Sequence, residues 1–117
     1  MNCPGLLADD GTTVTLDLHG CSVEDGIFVL RRTLQEALRR GRTKVDVIHG
    51  SSTSLHSRHS RTIKNELMDR LQRGAFSEWT SGHTTDASGG RTSLWIYLGV
   101  NASPARIRAE DVARPRR

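Results

Sequence analysis

The sequence predicts a small α/β domain: a two-layer βαβαββ sandwich whose four-stranded mixed sheet carries two helices on one face. Three observations lead there. Two short β-rich runs, Val14-Thr15-Leu16-Asp17-Leu18 and Val45-Asp46-Val47-Ile48, bracket a long stretch with apolar residues at helical spacing. A second helical stripe follows, and then an alternating run from Ser93 to Leu98. A chain of 117 residues has room for one core, since single domains commonly run to about 100–150 residues.

The elements follow in order. Residues 1–13 mix Pro, Gly and Asp without periodicity and read as a leader. In the first strand Val14, Leu16 and Leu18 alternate with polar residues, which places Asp17 and His19 together on the opposite face. Ser22 opens a helix, with Glu24 and Asp25 suited to its positive end. Its buried stripe is Val23, Ile27, Leu30, Leu34 and Leu38, and Gly41 stops it. The next strand completes a βαβ unit, so its two strands are expected to be parallel with a right-handed crossover. Residues 49–60 form a hydroxyl-rich loop. Ile63, Leu67 and Leu71, with Met68, mark a second helix stopped at Gly74. Phe76–Thr80 is expected as the third strand, 81–91 as a Gly-, Ser- and Thr-rich loop, and 93–98 as the fourth strand. The domain is thus drawn over 14–98, with 99–117 as a basic, flexible tail.

Composition narrows the function classes. Apolar residues at 35% and charged residues at 26% leave enough of the former for a core, which excludes a wholly disordered chain. The net charge is +4, but five Arg against Glu110 and Asp111 put +3 of it in residues 99–117. The body carries 12 basic and 11 acidic side chains, so the charge says little about its folded surface. The basic residues are nearly all Arg, which suits bidentate phosphate contacts, although a compositional bias of the genome explains the same fact. Cys3 and Cys21 match no zinc or disulfide framework and are expected as reduced thiols. With neither a signal-like segment nor an apolar run approaching ~20 residues, a cytoplasmic chain without membrane association is expected.

Both strands of the βαβ unit end in His-Gly, at His19-Gly20 and His49-Gly50. Parallel strands bring their C-terminal ends to one sheet edge, where open α/β sheets bind ligands. Histidine exchanges protons near neutrality, and a carboxylate can orient an imidazole or hold a divalent cation. Asp17, His19 and His49 are therefore the candidate catalytic residues. Period two places His49 with Val45 and Val47, away from the Asp17 face, so the histidines converge only if the turn after Ile48 redirects His49. A structural, hydrogen-bonded histidine is the plainer reading of either one alone.

These residues carry a resemblance. Leu16-Asp17-Leu18-His19-Gly20, then an amphipathic helix, then Val47-Ile48-His49-Gly50, then a helix and Gly89-Gly90 before the last strand, resembles the Smr (small MutS-related) domain over about residues 14–98. The resemblance implies a nucleic-acid-binding domain, often a nicking or RNA-cleaving endonuclease, with cleavage roles for Asp17 and His19. The family's second motif commonly reads His-Gly-Lys-Gly, whereas this chain has His49-Gly50-Ser51-Ser52. The Lys and second Gly are absent. Arg91-Thr92-Ser93 likewise departs from the small residues common after the Gly-Gly pair.

Gly50, Ser51 and Ser52, with Arg58, Arg61 and Arg91, are the candidate nucleic-acid contacts, since hydroxyls and free amides before a helix can hold phosphate. An ordinary solvated loop is the competing reading. His56-x-x-His59 lacks Cys or carboxylate partners nearby and is not read as a metal site. Trp95 and Tyr97 alternate with Leu94, Ile96 and Leu98. They are expected on the open face beside Asp17, either stacking unpaired bases or serving plain cross-strand packing or a protein interface.

The expectation is thus an Smr-like endonuclease that cuts phosphodiester bonds. RNA is favoured over DNA, and a ribosome or ribonucleoprotein is among the expected partners. No cofactor is fixed by the residues, and a divalent metal such as Mg at Asp17 is the one the chemistry allows. The alternatives are a non-catalytic RNA- or ribonucleoprotein-binding module and a small-molecule phosphoesterase using the same site.

Overall fold

The computed structural model describes residues 3–50, 62–87, 89–98 and 101–115. In chain order it contains β1 (Leu6–Asp9), β2 (Thr13–Asp17), α1 (Val23–Arg39), β3 (Lys44–Ile48), α2 (Ile63–Gln72), β4 (Thr80–Thr85), β5 (Arg91–Ile96) and α3 (Ala109–Val112). The strands form one sheet in the order β1-β2-β3-β5-β4. β2 and β3 are parallel, as the βαβ reading requires, and the other three pairings are antiparallel.

One sheet face and the helices share a single core. Val14, Leu16, Leu18, Val45, Val47, Leu94 and Ile96 pack with Leu30 and Leu34 of α1 and with Ile63 and Leu67 of α2. Ser22 Oγ accepts the Asp25 N–H and Thr62 Oγ1 the Asn65 N–H, so a side-chain oxygen caps the start of each of these helices. The opposite sheet face carries the intervening residues, among them Thr15, Asp17, Lys44, Asp46, Ile48, Arg91, Ser93 and Trp95.

The sheet has five strands, one more than expected, and the third helix is also additional. β1 comes from the residues read as a leader. It is a four-residue edge strand with exposed Leu6 and Ala8, so it lacks the apolar alternation that marks a half-buried strand. β4 comes from the residues read as a long loop, while Phe76–Trp79, expected as strand, form turns that bury the Phe76 ring. Thr-Ser-Gly-His-Thr-Thr has little apolar content because β4 lies at the other edge and buries only Thr80.

The residues expected as a flexible tail pack onto the domain. Ile107 and Val112 are buried in the core. Arg42, wholly buried, pairs with Asp9 at 2.8 Å and donates to the carbonyls of Arg40, Ser103 and Ala105. Asp9 also accepts the Ile107 N–H. Arg114 bridges Glu24 and Asp25 at the start of α1, so part of the tail's charge is neutralised against the domain.

The cysteine expectation is also corrected. Cys3 and Cys21 form a disulfide that ties the segment before β1 to the turn after β2. Spacing alone could not show this, because β1 folds back antiparallel on β2 and brings two cysteines 18 residues apart to the same sheet end.

Candidate functional site

The two His-Gly units meet at the C-terminal edge of β2 and β3. Asp17 stands opposite Ile48 in the ladder, and the Leu18 N–H donates to the Ile48 carbonyl at 2.9 Å. Beyond that bond the first unit leaves the sheet. Asp17 Oδ1 accepts the His19 N–H at 2.9 Å, and Gly20 turns the chain at a positive φ of 90°. The carboxylate therefore orients His19 through its backbone, and His19 itself is exposed.

The second unit is held differently. The N–H groups of His49 and Gly50 both donate to the Gly90 carbonyl, at 3.0 and 3.1 Å. The His49 ring stays on the core face with Val47, as period two requires. Nδ1 lies 2.7 Å from the Gly50 carbonyl and Nε2 lies 2.8 Å from Thr92 Oγ1. A carbonyl only accepts, so Nδ1 carries the proton, and in the neutral ring Nε2 accepts from the Thr92 hydroxyl. Burial holds this imidazole below the ordinary histidine range, and Lys64 pushes the same way, against the Gly50 carbonyl and Asp86.

Convergence comes through glycine. Gly50 has a φ of 82°, and a Cβ there would lie 3.3 Å from His19 Cδ2, so the His19 ring edge rests against the second unit. His19 and His49 both line a cleft of about 540 Å³ that also takes in Gly20, Ser22, Gly50 and Thr62. The first turns of α1 and α2 both border it. Their amides and positive dipole ends favour an anion there.

Arg91 shares the Asp17 row of the open face, paired with Ile48 one strand away. Two strand spacings put it ~10 Å from Asp17 along that row. Ser51, Ser52, Arg58 and Arg61 lie outside the described residues. Among the described residues no group of three His, Cys, Asp or Glu side chains comes together as a metal site. Asp17 is a single carboxylate with one oxygen already accepting the His19 N–H, so it could give a divalent cation one further oxygen ligand and no more.

Trp95 is on the open face, but its ladder partner is Lys44, at the end of β3 far from Asp17. The expectation of aromatics beside Asp17 is corrected accordingly. Thr92 and the Gly90 carbonyl were missed by sequence reasoning, although Thr92 alternates with Leu94 and Ile96 and so falls on the face of His49.

The family model for the Smr domain matches residues 16–99, from within the Asp17 strand to just past the last strand. This chain belongs to the Smr domain family. Smr domains are nucleic-acid-binding and nuclease-like. No curated protein sequence matches the chain. The crystal structure of the Smr domain of Thermus thermophilus MutS2 is similar to it, with a TM-score of 0.56 at 18% identity over 71% of this chain and 96% of that one. Identity this low speaks for the shared fold alone. In this Smr domain the strand-end edge, the capped helix starts and the Gly90 carbonyl together form the candidate site.

Proposed function

We propose that this Smr domain is an endonuclease for single-stranded nucleic acid, RNA ahead of DNA, acting at the cleft where His19 meets Gly50. The observation that carries this reading is the exposed His19, whose backbone N–H is held by Asp17 and whose ring lines a cleft bordered by two helix N-termini. The helix starts and Arg91 hold phosphate oxygens. His19 takes the proton from the ribose 2′-hydroxyl as that oxygen attacks phosphorus, or returns one to the departing 5′-oxygen. The P–O5′ bond breaks and a 2′,3′-cyclic phosphate forms. His49 acts as a positioning residue, since both of its ring nitrogens are engaged in holding Gly50 and Thr92. Were a divalent cation such as Mg2+ held at Asp17, it would supply an activated water, whose attack on phosphorus with loss of the 3′-oxygen would leave a 5′-phosphate.

The engagement of His49 also favours a second reading. Among the described residues one exposed imidazole lines the cleft instead of two, and on this reading the domain is a binding module that docks on RNA or a ribonucleoprotein such as the ribosome.

Cleavage of a labelled single-stranded RNA and a supercoiled plasmid by wild type and His19→Ala, with and without EDTA, separates the two. Cutting that vanishes with His19 supports the nuclease, and its end groups and EDTA response identify the attacking oxygen. RNA binding without cutting supports the module, and cutting that survives His19→Ala places the chemistry elsewhere.

A further inference from the structure

The open sheet face carries an aromatic patch that the proposed chemistry does not use. Trp95 is 39% exposed, Tyr97 45% and Leu98 83%, although Leu94 before them and Ile96 among them are buried. With Thr43, Ser81 and Ile96 they line a shallow depression of about 490 Å³. Large apolar side chains left bare beside a filled core point to a ligand surface.

Charge and distance say which ligand. Lys44 Nζ lies 5.2 Å from the centroid of the Trp95 ring, and Arg91 stands on the same face at the other end of β5. A polyanion laid along β5 therefore meets a cation at each end. Asp46, between them, is already partnered: Lys44 Nζ lies 3.6 Å from one carboxylate oxygen and the Ser93 hydroxyl donates to the other. Four residues of strand separate Arg91 from Trp95, about 13 Å at 3.3 Å each. That equals roughly four stacked nucleotides at 3.4 Å, and fewer of an extended chain.

We propose that Trp95 and Tyr97 form a base-stacking subsite for unpaired nucleobases of a strand whose phosphate is held at the His19 cleft, with Lys44 on the phosphate beside the stacked base. This rests on the nucleic-acid reading above. It adds a requirement that a phosphate grip alone would not impose: the strand must be single and must extend several nucleotides beyond the cleft. Duplex bases are already stacked on one another and cannot use the aromatic rings.

The test is fluorescence anisotropy with labelled oligouridylates of 2, 8 and 12 nucleotides and an 8-mer with abasic positions, using the full chain as wild type, Trp95→Ala, Trp95→Phe and His19→Ala. Stacking is worth ~1–3 kcal/mol per base. Trp95→Ala should therefore weaken 8-mer and 12-mer binding about 5- to 100-fold while leaving the dinucleotide, too short to reach the ring, within twofold, and Trp95→Phe should restore most of the loss. An abasic position should weaken wild type but not Trp95→Ala further. Equal 8-mer affinities for wild type and Trp95→Ala, with dinucleotide binding intact, overturn the subsite and leave the cleft reading standing. Absence of binding at every length overturns both. Concentration-dependent dimerisation that Trp95→Ala abolishes also overturns the subsite and makes the patch an interface between copies.

Discussion

His49 is fastened to Thr92: its Nε2 lies 2.8 Å from the Thr92 hydroxyl, inside the core and across β3 and β5. The same ring fixes the Gly50 carbonyl through Nδ1, so the second His-Gly unit depends on a hydroxyl in another strand. Thr92→Val keeps the shape and removes the donor, leaving a buried ring nitrogen unpaired. The expected cost is about 1–3 kcal/mol, read by urea denaturation. Oligonucleotide affinity should fall as Gly50 loosens against His19. Unchanged stability would mean that the Thr92–His49 bond contributes little.

The depressed His49 predicts a pH dependence. Burial keeps the folded ring neutral, whereas the unfolded ring titrates near its ordinary 6.5. The unfolded state thus binds the extra proton, so stability is fully present above about pH 6.5 and is lost as pH falls from there through the lower folded value. The buried Asp9 acts in a separate window. Burial raises its carboxyl, but the Arg42 guanidinium and the Ile107 and Gly11 amides outweigh that and hold it below its ordinary 3.8. Its contribution is present above that pH and lost below it. Urea midpoints between pH 8 and 5 should therefore slope downward in wild type and flatten in His49→Gln. Parallel slopes would assign the effect to another group.

The sequence was most informative where burial imposes periodicity. Val14, Leu16 and Leu18, Leu30 and Leu34 of the α1 stripe, and Leu94 with Ile96 fill the core as their spacing requires, while Val23 and Leu38 of that stripe pack against it only partly buried. The two His-Gly units reach one edge because β2 and β3 are parallel. Edge strands were invisible for the converse reason: Leu6–Asp9 and Thr80–Thr85 are set by pairing on one side, which leaves little hydrophobic pattern. Nor could spacing show that Arg42, an arginine after a helix-stopping glycine, would be buried by carbonyls about 60 residues later in the chain. At the site the residue types were legible, but the assignment of Nδ1 and Nε2 required the Gly90, Gly50 and Thr92 contacts.

The buried Asp9–Arg42 pair links both chain ends to the domain. Asp9→Ala leaves the guanidinium desolvated with carbonyls alone and frees the Ile107 amide. Breaking one partner of such a pair costs about 3–5 kcal/mol. Deleting residues 101–117 should be as damaging, because it uncovers the core where Ile107 and Val112 pack and removes two Arg42 acceptors. Both variants should lose cooperative thermal unfolding or melt far below wild type. A truncated chain that melts like wild type would show that this packing is dispensable.

The Cys3–Cys21 disulfide lies close to the proposed chemistry. Cys21 borders the cleft, and the Gly5 N–H, two residues past Cys3, donates to the Asp17 carbonyl. The bond closes a loop of 18 residues that contains all of β1 and β2. Removing a crosslink of that span costs ~3 kcal/mol in the chain-entropy account. Cys3→Ser, or wild type in reductant, should therefore denature at lower urea. Loosening β1 also frees the chain that backs Asp17, so RNA affinity should fall in the reduced protein and return on reoxidation. In Cys3→Ser it should be low and indifferent to reductant. In a reducing cytoplasm the bond would be under challenge, and the same titration against glutathione measures how much of it survives. A reduced protein with wild-type stability and affinity would show that hydrogen bonding holds β1 in place and that the disulfide does not contribute.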